Sequence, residues 1–191
     1  MQSFDDPLLR TVRTTRRPGA RGFSLIELMV VVALVAILLV LAVPAFRNMI
    51  QINRVAGEVN SFSADLQYAR SEAIQRGVPV SLCPSSDGAT CLGTNTWHSG
   101  WIVFVDYNGS GTMQTGDVVL RPRAAWTGGD TFVASPSTTA VTYGGQGFAI
   151  NLASVTVTVH TSPSNNKATR CLALNSVGRQ VVQTYGVGLC T

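Results

Sequence analysis

From Leu28 to Val43 the chain runs through 16 consecutive positions, LMVVVALVAILLVLAV, without one polar side chain. Adding Phe23 to Glu27 extends the segment to 21 residues, and about 20 suffice to carry a helix across the hydrocarbon core of a bilayer. Five of the 14 basic residues, Arg10, Arg13, Arg16, Arg17 and Arg21, stand immediately before it. Positive charge flanking a span stays on the cytoplasmic side. The expected topology is therefore a single pass in the inner membrane, N-terminus cytoplasmic and C-terminal domain periplasmic. A secretory signal would place its small-residue cleavage site after a shorter apolar region. Here the small residue, Gly22, comes before it.

Glu27 does not fit a plain membrane anchor. An acid at depth in a bilayer costs roughly 2.5–3.5 kcal/mol or more, so it needs a partner or marks a function. Cleavage after Gly22 would create an α-amino group at Phe23, four residues before Glu27, on this chain or a neighbour. The string Arg21-Gly22-Phe23-Ser24-Leu25-Ile26-Glu27-Leu28, with Pro44 downstream, resembles the type IV prepilin leader junction. That resemblance implies removal of a 1–22 leader by prepilin peptidase and N-methylation of Phe23. It also implies that Glu27 docks the subunit onto a neighbour in a growing filament.

Past the apolar run the helical pattern continues. Ile52, Val55, Val59, Phe62, Leu66, Ala69 and Ala73 recur at spacings of three and four, an apolar stripe. Arg47, Arg54, Glu58, Asp65, Arg70, Glu72 and Arg76 are expected mostly on the other faces. Gly77 and Pro79 supply the stop. The expected helix spans Phe23 to Arg76, with a membrane half (23–46) and an amphipathic half (47–76), bent or softened at Pro44 and Gly57. Residues 77–191 form the globular domain. Strands are expected at 78–83, 101–106, 117–121, 131–134, 140–143, 147–150, 154–160, 169–174 and 179–184, separated by Gly, Asn, Ser and Pro clusters. The fold class is α+β: a long N-terminal helix packed on antiparallel sheets.

Cys83, Cys91, Cys171 and Cys190 all lie beyond the span. An even count outside the cytoplasm favours disulfides. Three connectivities are open, and Cys83–Cys91 with Cys171–Cys190 is the simplest. A metal site would need CxxC spacing, which is absent, and has only His98 and His160 to recruit.

Two candidate binding sites remain. Asp106, Asn108, Ser110, the Thr112 carbonyl and Asp117, with Gly111 in the sixth place, match the spacing of a calcium loop, with a hairpin tip as the alternative. Loss of the leader removes five Arg and two Asp, leaving 9 basic and 8 acidic residues. After Leu120, however, Arg121, Arg123, Lys167, Arg170 and Arg179 face only Asp130, a local excess suited to a polyanion.

Leu66-Gln67-Tyr68-Ala69-Arg70-Ser71-Glu72-Ala73, then Val80-Ser81-Leu82-Cys83 and Gly100-Trp101-Ile102-Val103-Phe104-Val105-Asp106, resemble the GspH/FimT (FimT/FimU-like) family of minor pilins and pseudopilins. The resemblance implies a role in a pilus tip or priming complex, in company with other minor pilins. The alternative is a pseudopilin of a type II secretion system. Some members bind DNA during transformation through a Gly-Arg-x-Arg motif between C-terminal cysteines. Here the sequence is Gly178-Arg179-Gln180-Val181, so the first Arg matches and the second is Val181. Arg170 and Lys167 are the cations expected to stand beside Arg179. No nucleophile motif or phosphate-cradling loop is present, and the chain does not read as an enzyme.

Overall fold

The computed structural model describes residues 22–191, so the leader arginines lie outside the described residues. The chain divides into two compact units, one ending at Ala42 and one running from Val43 to Thr191. Helix α1 spans Leu25–Arg76 and continues through both Pro44 and Gly57. Pro44 has no N–H to donate to the preceding turn. One turn after Gly57 the Ser61 hydroxyl donates back to the Gly57 carbonyl at 2.8 Å. Gly77 takes φ +68° and ends the helix, its N–H reaching the Ala73 carbonyl.

Nine strands follow: β1 Val80–Pro84, β2 Trp101–Val105, β3 Val118–Arg123, β4 Thr131–Ser135, β5 Val141–Tyr143, β6 Ala149–Ile150, β7 Ser154–His160, β8 Arg170–Asn175 and β9 Gln180–Thr184. All nine fall where the sequence pattern places them, with no end shifted by more than two residues. They pair antiparallel as a five-stranded sheet, β3-β2-β1-β5-β6, and a four-stranded sheet, β4-β7-β8-β9.

The core lies between these sheets and the second half of α1. Val55, Val59, Phe62, Leu66, Ala69 and Ala73 are fully buried or nearly so, and Ile52 packs at their edge. Phe62 meets Trp97, Trp101 and Phe132 edge-on, with ring centroids 5.1, 5.2 and 4.8 Å away. Alternate residues of β7, Val155, Val157 and Val159, point into the same core, as their period of two requires. A smaller cluster of Cys83, Ile102 and Phe104 sits on the opposite face of the five-stranded sheet.

The cysteines pair as Cys83–Cys91 and Cys171–Cys190. The first closes the loop after β1 over Ile102 and Phe104. Cys171 alternates with the core residue Leu172, so it faces away from α1. The second bridge therefore lays the C-terminal residues over the outer face of the four-stranded sheet, where Thr156 and Thr158 are buried.

Candidate functional site

The first element of the site is the start of α1. Gly22 and Phe23 precede the helix, and the Phe23 side chain is 81% exposed. Helical geometry begins at Leu25, two residues later than the sequence reading, because Ser24 is the cap: its hydroxyl accepts the Glu27 N–H at 3.2 Å. Ser24 and Glu27 are three apart, the spacing of a capping box. A peptidase needs chain whose backbone is not locked in a helix, and Gly22–Phe23 is such a segment.

Beyond Ser24 the apolar side chains have nothing to pack on. Leu28, Leu34, Ile37, Leu41 and the rest of the run are exposed. None of the most apolar stretch of α1 is buried by the protein itself. Glu27 stands on this surface with no side-chain partner among the described residues. A surface so apolar is stable only in lipid or against similar helices.

The calcium reading fails on its donor set. Asp106 is fully buried, and its two carboxylate oxygens accept the Ser110 N–H at 3.1 Å, the Gly111 N–H at 2.7 Å and the Ser81 hydroxyl at 2.7 Å. Asp117 accepts the Tyr107 and Gln114 N–H groups, Asn108 Oδ1 accepts the Ser110 N–H, and the Thr112 carbonyl accepts the Ser110 hydroxyl. Each oxygen proposed as a ligand already faces a donor of the protein. The loop is a hairpin tip stitched by carboxylate-to-amide bonds, and the residues do not fit a cation. Among the described residues no group of three or more His, Cys, Asp or Glu could hold a metal ion. His98, the recruit considered for a cysteine–metal site, instead accepts the Phe132 N–H through Nδ1 at 3.2 Å.

The basic residues do not form one patch. Arg121 and Arg123 turn inward onto Asp65, which is completely buried. Arg121 Nη1 lies 2.8 Å and Arg123 Nε 2.6 Å from its oxygens, and Trp101 Nε1 donates at 3.0 Å. The Arg121 guanidinium also stacks 3.8 Å over the Tyr68 ring. Burial alone would raise the Asp65 pKa. The donors from Arg123, Arg121 and Trp101 outweigh it and hold the carboxyl below its ordinary value. A bulge makes this possible: Val103 faces Arg121 while Phe104 faces Val119, so Leu120 is the extra residue and the arginines are re-aimed towards α1. The expectation that Asp65 lies on an outer face is thereby corrected.

Arg179 is also separated from the cations expected beside it. Arg170 pairs across β9 with Thr184, whereas Arg179 sits in the turn at the other end, its N–H on Asn175 Oδ1 at 2.9 Å. Arg170 and Lys167 therefore lie at one end of β8 and Arg179 at the opposite end, roughly 16 Å away at 3.3 Å per residue. Val181, in the place of a second arginine, is a partly exposed apolar residue of β9.

Sequence comparison resolves the family. The profile of the family described as "Type II transport protein GspH" matches residues 58–178, and that of the prokaryotic N-terminal methylation motif matches residues 17–43. The chain belongs to the GspH family.

Structural comparison agrees with the fold of a GspH-family pilin. Two crystal structures of the type IV minor pilin FimU of Pseudomonas aeruginosa superpose with TM-scores of 0.54 and 0.50, at 19% and 20% identity. They cover 70% and 65% of this chain and 89% and 88% of their own. The minor pseudopilin EpsH of Vibrio cholerae gives a TM-score of 0.48 at 11% identity, over 70% of this chain and 98% of its own.

Within this family fold, Asp65 was within reach of sequence reasoning. It lies three residues after Phe62 and four before Ala69, inside the apolar stripe, and Arg121 and Arg123 share one face of a strand. An acid at a core position with two same-face arginines elsewhere is the signal of a buried ion pair. Glu58 carried no such signal. It is half-buried beside Arg54, but Arg54 spends its guanidinium on Asp130 in two bonds of 2.8 and 2.6 Å. Glu58 Oε2 is left buried without a partner. Burial, helped by the nearby Asp130 and opposed by Arg54, pushes its pKa up to about 7.

Proposed function

We propose that this protein is a minor pilin of a type IV pilus, working in a tip or priming complex with other minor pilins. The observation that carries the reading is the apolar half of α1. It is 0% buried within the chain over its most apolar window, and it bears a lone acid, Glu27, in its first turn. Before assembly such a surface belongs in the inner membrane; in a filament it belongs against the helices of neighbouring subunits. Cleavage after Gly22 by prepilin peptidase would free the Phe23 amine for methylation. The same cleavage supplies a positive group, on a neighbouring subunit, for the Glu27 carboxylate. The exposed, non-helical Gly22–Phe23 segment supports access by the peptidase.

The test is Glu27→Ala in the producing cells, with N-terminal sequencing of the membrane pool and immunoblots of sheared filaments. The mature N-terminus is expected at Phe23 in both proteins, with the variant falling to near background in filaments. Equal abundance in filaments would refute the docking role. An N-terminus other than Phe23 would refute the processing step.

A second reading, a pseudopilin serving protein secretion, is favoured by the description of the matching family as a type II transport protein. Deletion separates the two: loss of surface pili marks the first and retention of secreted enzymes in the periplasm marks the second.

A further inference from the structure

At the end of the apolar run the domain carries a hollow of about 570 Å³, in which the apolar Pro44, Ile50 and Pro163 stand among polar side chains. Its walls are Arg47, Asn48 and Gln51 from α1 and Ser162, Ser164 and Asn165 from the loop between β7 and β8. The loop is fixed to the helix: Asn165 Nδ2 donates to Asn48 Oδ1 at 3.1 Å and to Gln51 Oε1 at 2.8 Å, and Gln51 Nε2 donates to the Pro163 carbonyl at 3.3 Å. Arg170 braces it from the other side through the Lys167 and Thr169 carbonyls.

No Asp or Glu lines the hollow. Arg54, at its inner end, is neutralised by Asp130. Arg47 is exposed and, like Lys167 two residues beyond Asn165, forms no ion pair among the described residues. The hollow therefore offers one uncompensated cation, Arg47, with two serine residues and side-chain amides in its walls, and Lys167 follows two residues farther along the same loop. That donor set suits a phosphodiester.

Arg47 follows Val43, the last residue of the apolar run, by four positions, about 6 Å along a helix. The headgroup layer beyond the hydrocarbon core is of that depth. We propose that this hollow binds the phosphate of an anionic phospholipid headgroup in the outer leaflet, with Arg47 in its wall and Lys167 farther along the loop providing the charge, and Ser162 and Ser164 donating hydrogen bonds. The proposal builds on the reading of the apolar run as a membrane anchor. It gives Lys167 a ligand unrelated to Arg179.

The test uses the full mature chain in phosphatidylcholine vesicles containing increasing fractions of phosphatidylglycerol. Flotation reads insertion, and amide exchange of residues 162–168 reads the site. The expected result is slowed exchange that saturates with phosphatidylglycerol and is reversed by salt. Each cation near a charged surface is worth about fivefold, ~1 kcal/mol. The double variant Arg47→Ala, Lys167→Ala should therefore weaken the affinity for phosphatidylglycerol about 25-fold, so that its exchange no longer saturates over the range that saturates wild type, while Arg47→Lys, Lys167→Arg should retain the wild-type response. Both residues are exposed, so the alanine variant is expected to float normally. Floating chains whose exchange ignores phosphatidylglycerol, or an alanine variant that responds as wild type does, would overturn the site alone. Equal slowing by inorganic phosphate without anionic lipid would overturn the lipid as its ligand. A chain that does not float with either vesicle would overturn the anchor and the site together.

Discussion

Replacing Asp65 with Ala tests a fully buried carboxylate that binds helix to sheet. The substitution removes acceptors for four hydrogen bonds: Arg121 Nη1 at 2.8 Å, Arg123 Nε at 2.6 Å and Nη2 at 3.2 Å, and Trp101 Nε1 at 3.0 Å. Breaking a buried pair from one side costs about 3–5 kcal/mol. The arginine side chains are 38% and 41% exposed and can turn to water, which argues for the lower end. Trp101 cannot follow them, since it is 1% exposed, and an unsatisfied buried donor alone costs about 1–3 kcal/mol. The sum is near 3 kcal/mol, and for a unit of this size that lowers Tm by roughly 6–12 °C.

The assay is thermal unfolding of the Val43–Thr191 unit, which holds its own core. Measurement at several pH values supplies the sharper criterion. The Asp65 pKa is depressed in the folded state. Its stabilisation is therefore present above the unfolded value near 3.9 and is lost as pH falls through the lower folded value. The gap between wild type and Asp65→Ala should be widest near neutrality and close on acidification below about pH 4. Asp65→Asn keeps an acceptor for Trp101 and should fall between the two. A Tm for Asp65→Ala within a degree or two of wild type at neutral pH would refute the argument. So would a gap that stays constant as pH falls.

Glu58 has the opposite sign. Its folded pKa is raised from 4.5 to about 7, so its contribution is complete below pH 4.5 and disappears as pH rises towards 7. Wild-type stability should decline across that window, and Glu58→Gln should flatten the decline, by about 1 kcal/mol once solvent screening of a half-buried group is allowed for; parallel pH profiles would contradict this. Cys190→Ser opens the Cys171–Cys190 bridge, which spans 19 positions. Loop entropy predicts a loss of about 3 kcal/mol, together with faster amide exchange on the outer faces of β7 and β8; an unchanged denaturation midpoint would show that the C-terminal residues hold without it.

The parts of this molecule that were readable in the sequence are those written in local periodicity. The stripe from Val55 to Ala73 repeats at three and four residues, and the buried face of α1 follows it. The Val155-Thr156-Val157-Thr158-Val159 alternation reads as a half-buried strand; β7 is a strand there, but Thr156 and Thr158 on its second face are buried as well, under the C-terminal residues. What was not readable depends on register between distant segments. The calcium-like spacing from Asp106 to Asp117 was legible as a pattern of oxygens, but oxygen spacing does not say which way the amides point. In this loop the amides point at the carboxylates and occupy them. The cluster of basic residues after Leu120 fails for a related reason. Counting charges along a chain treats residues ten apart as neighbours, but in a hairpin the strand length intervenes. With Arg170 opposite Thr184 and Arg179 in the turn, β8 holds the two cations at its two ends. Arg121 and Arg123 meanwhile spend their charge on a buried acid 56 and 58 residues earlier. Of the five basic residues, the register thus leaves Lys167 and Arg170 by the loop that packs on Asn48 and Gln51, a few residues past the apolar run. The loop that packs on Asn48 and Gln51 is therefore one place to seek a functional charge, whereas Arg179, parted from Lys167 and Arg170, has Arg70 as its neighbouring cation, whose Nη1 donates to the Gly178 carbonyl at 3.3 Å.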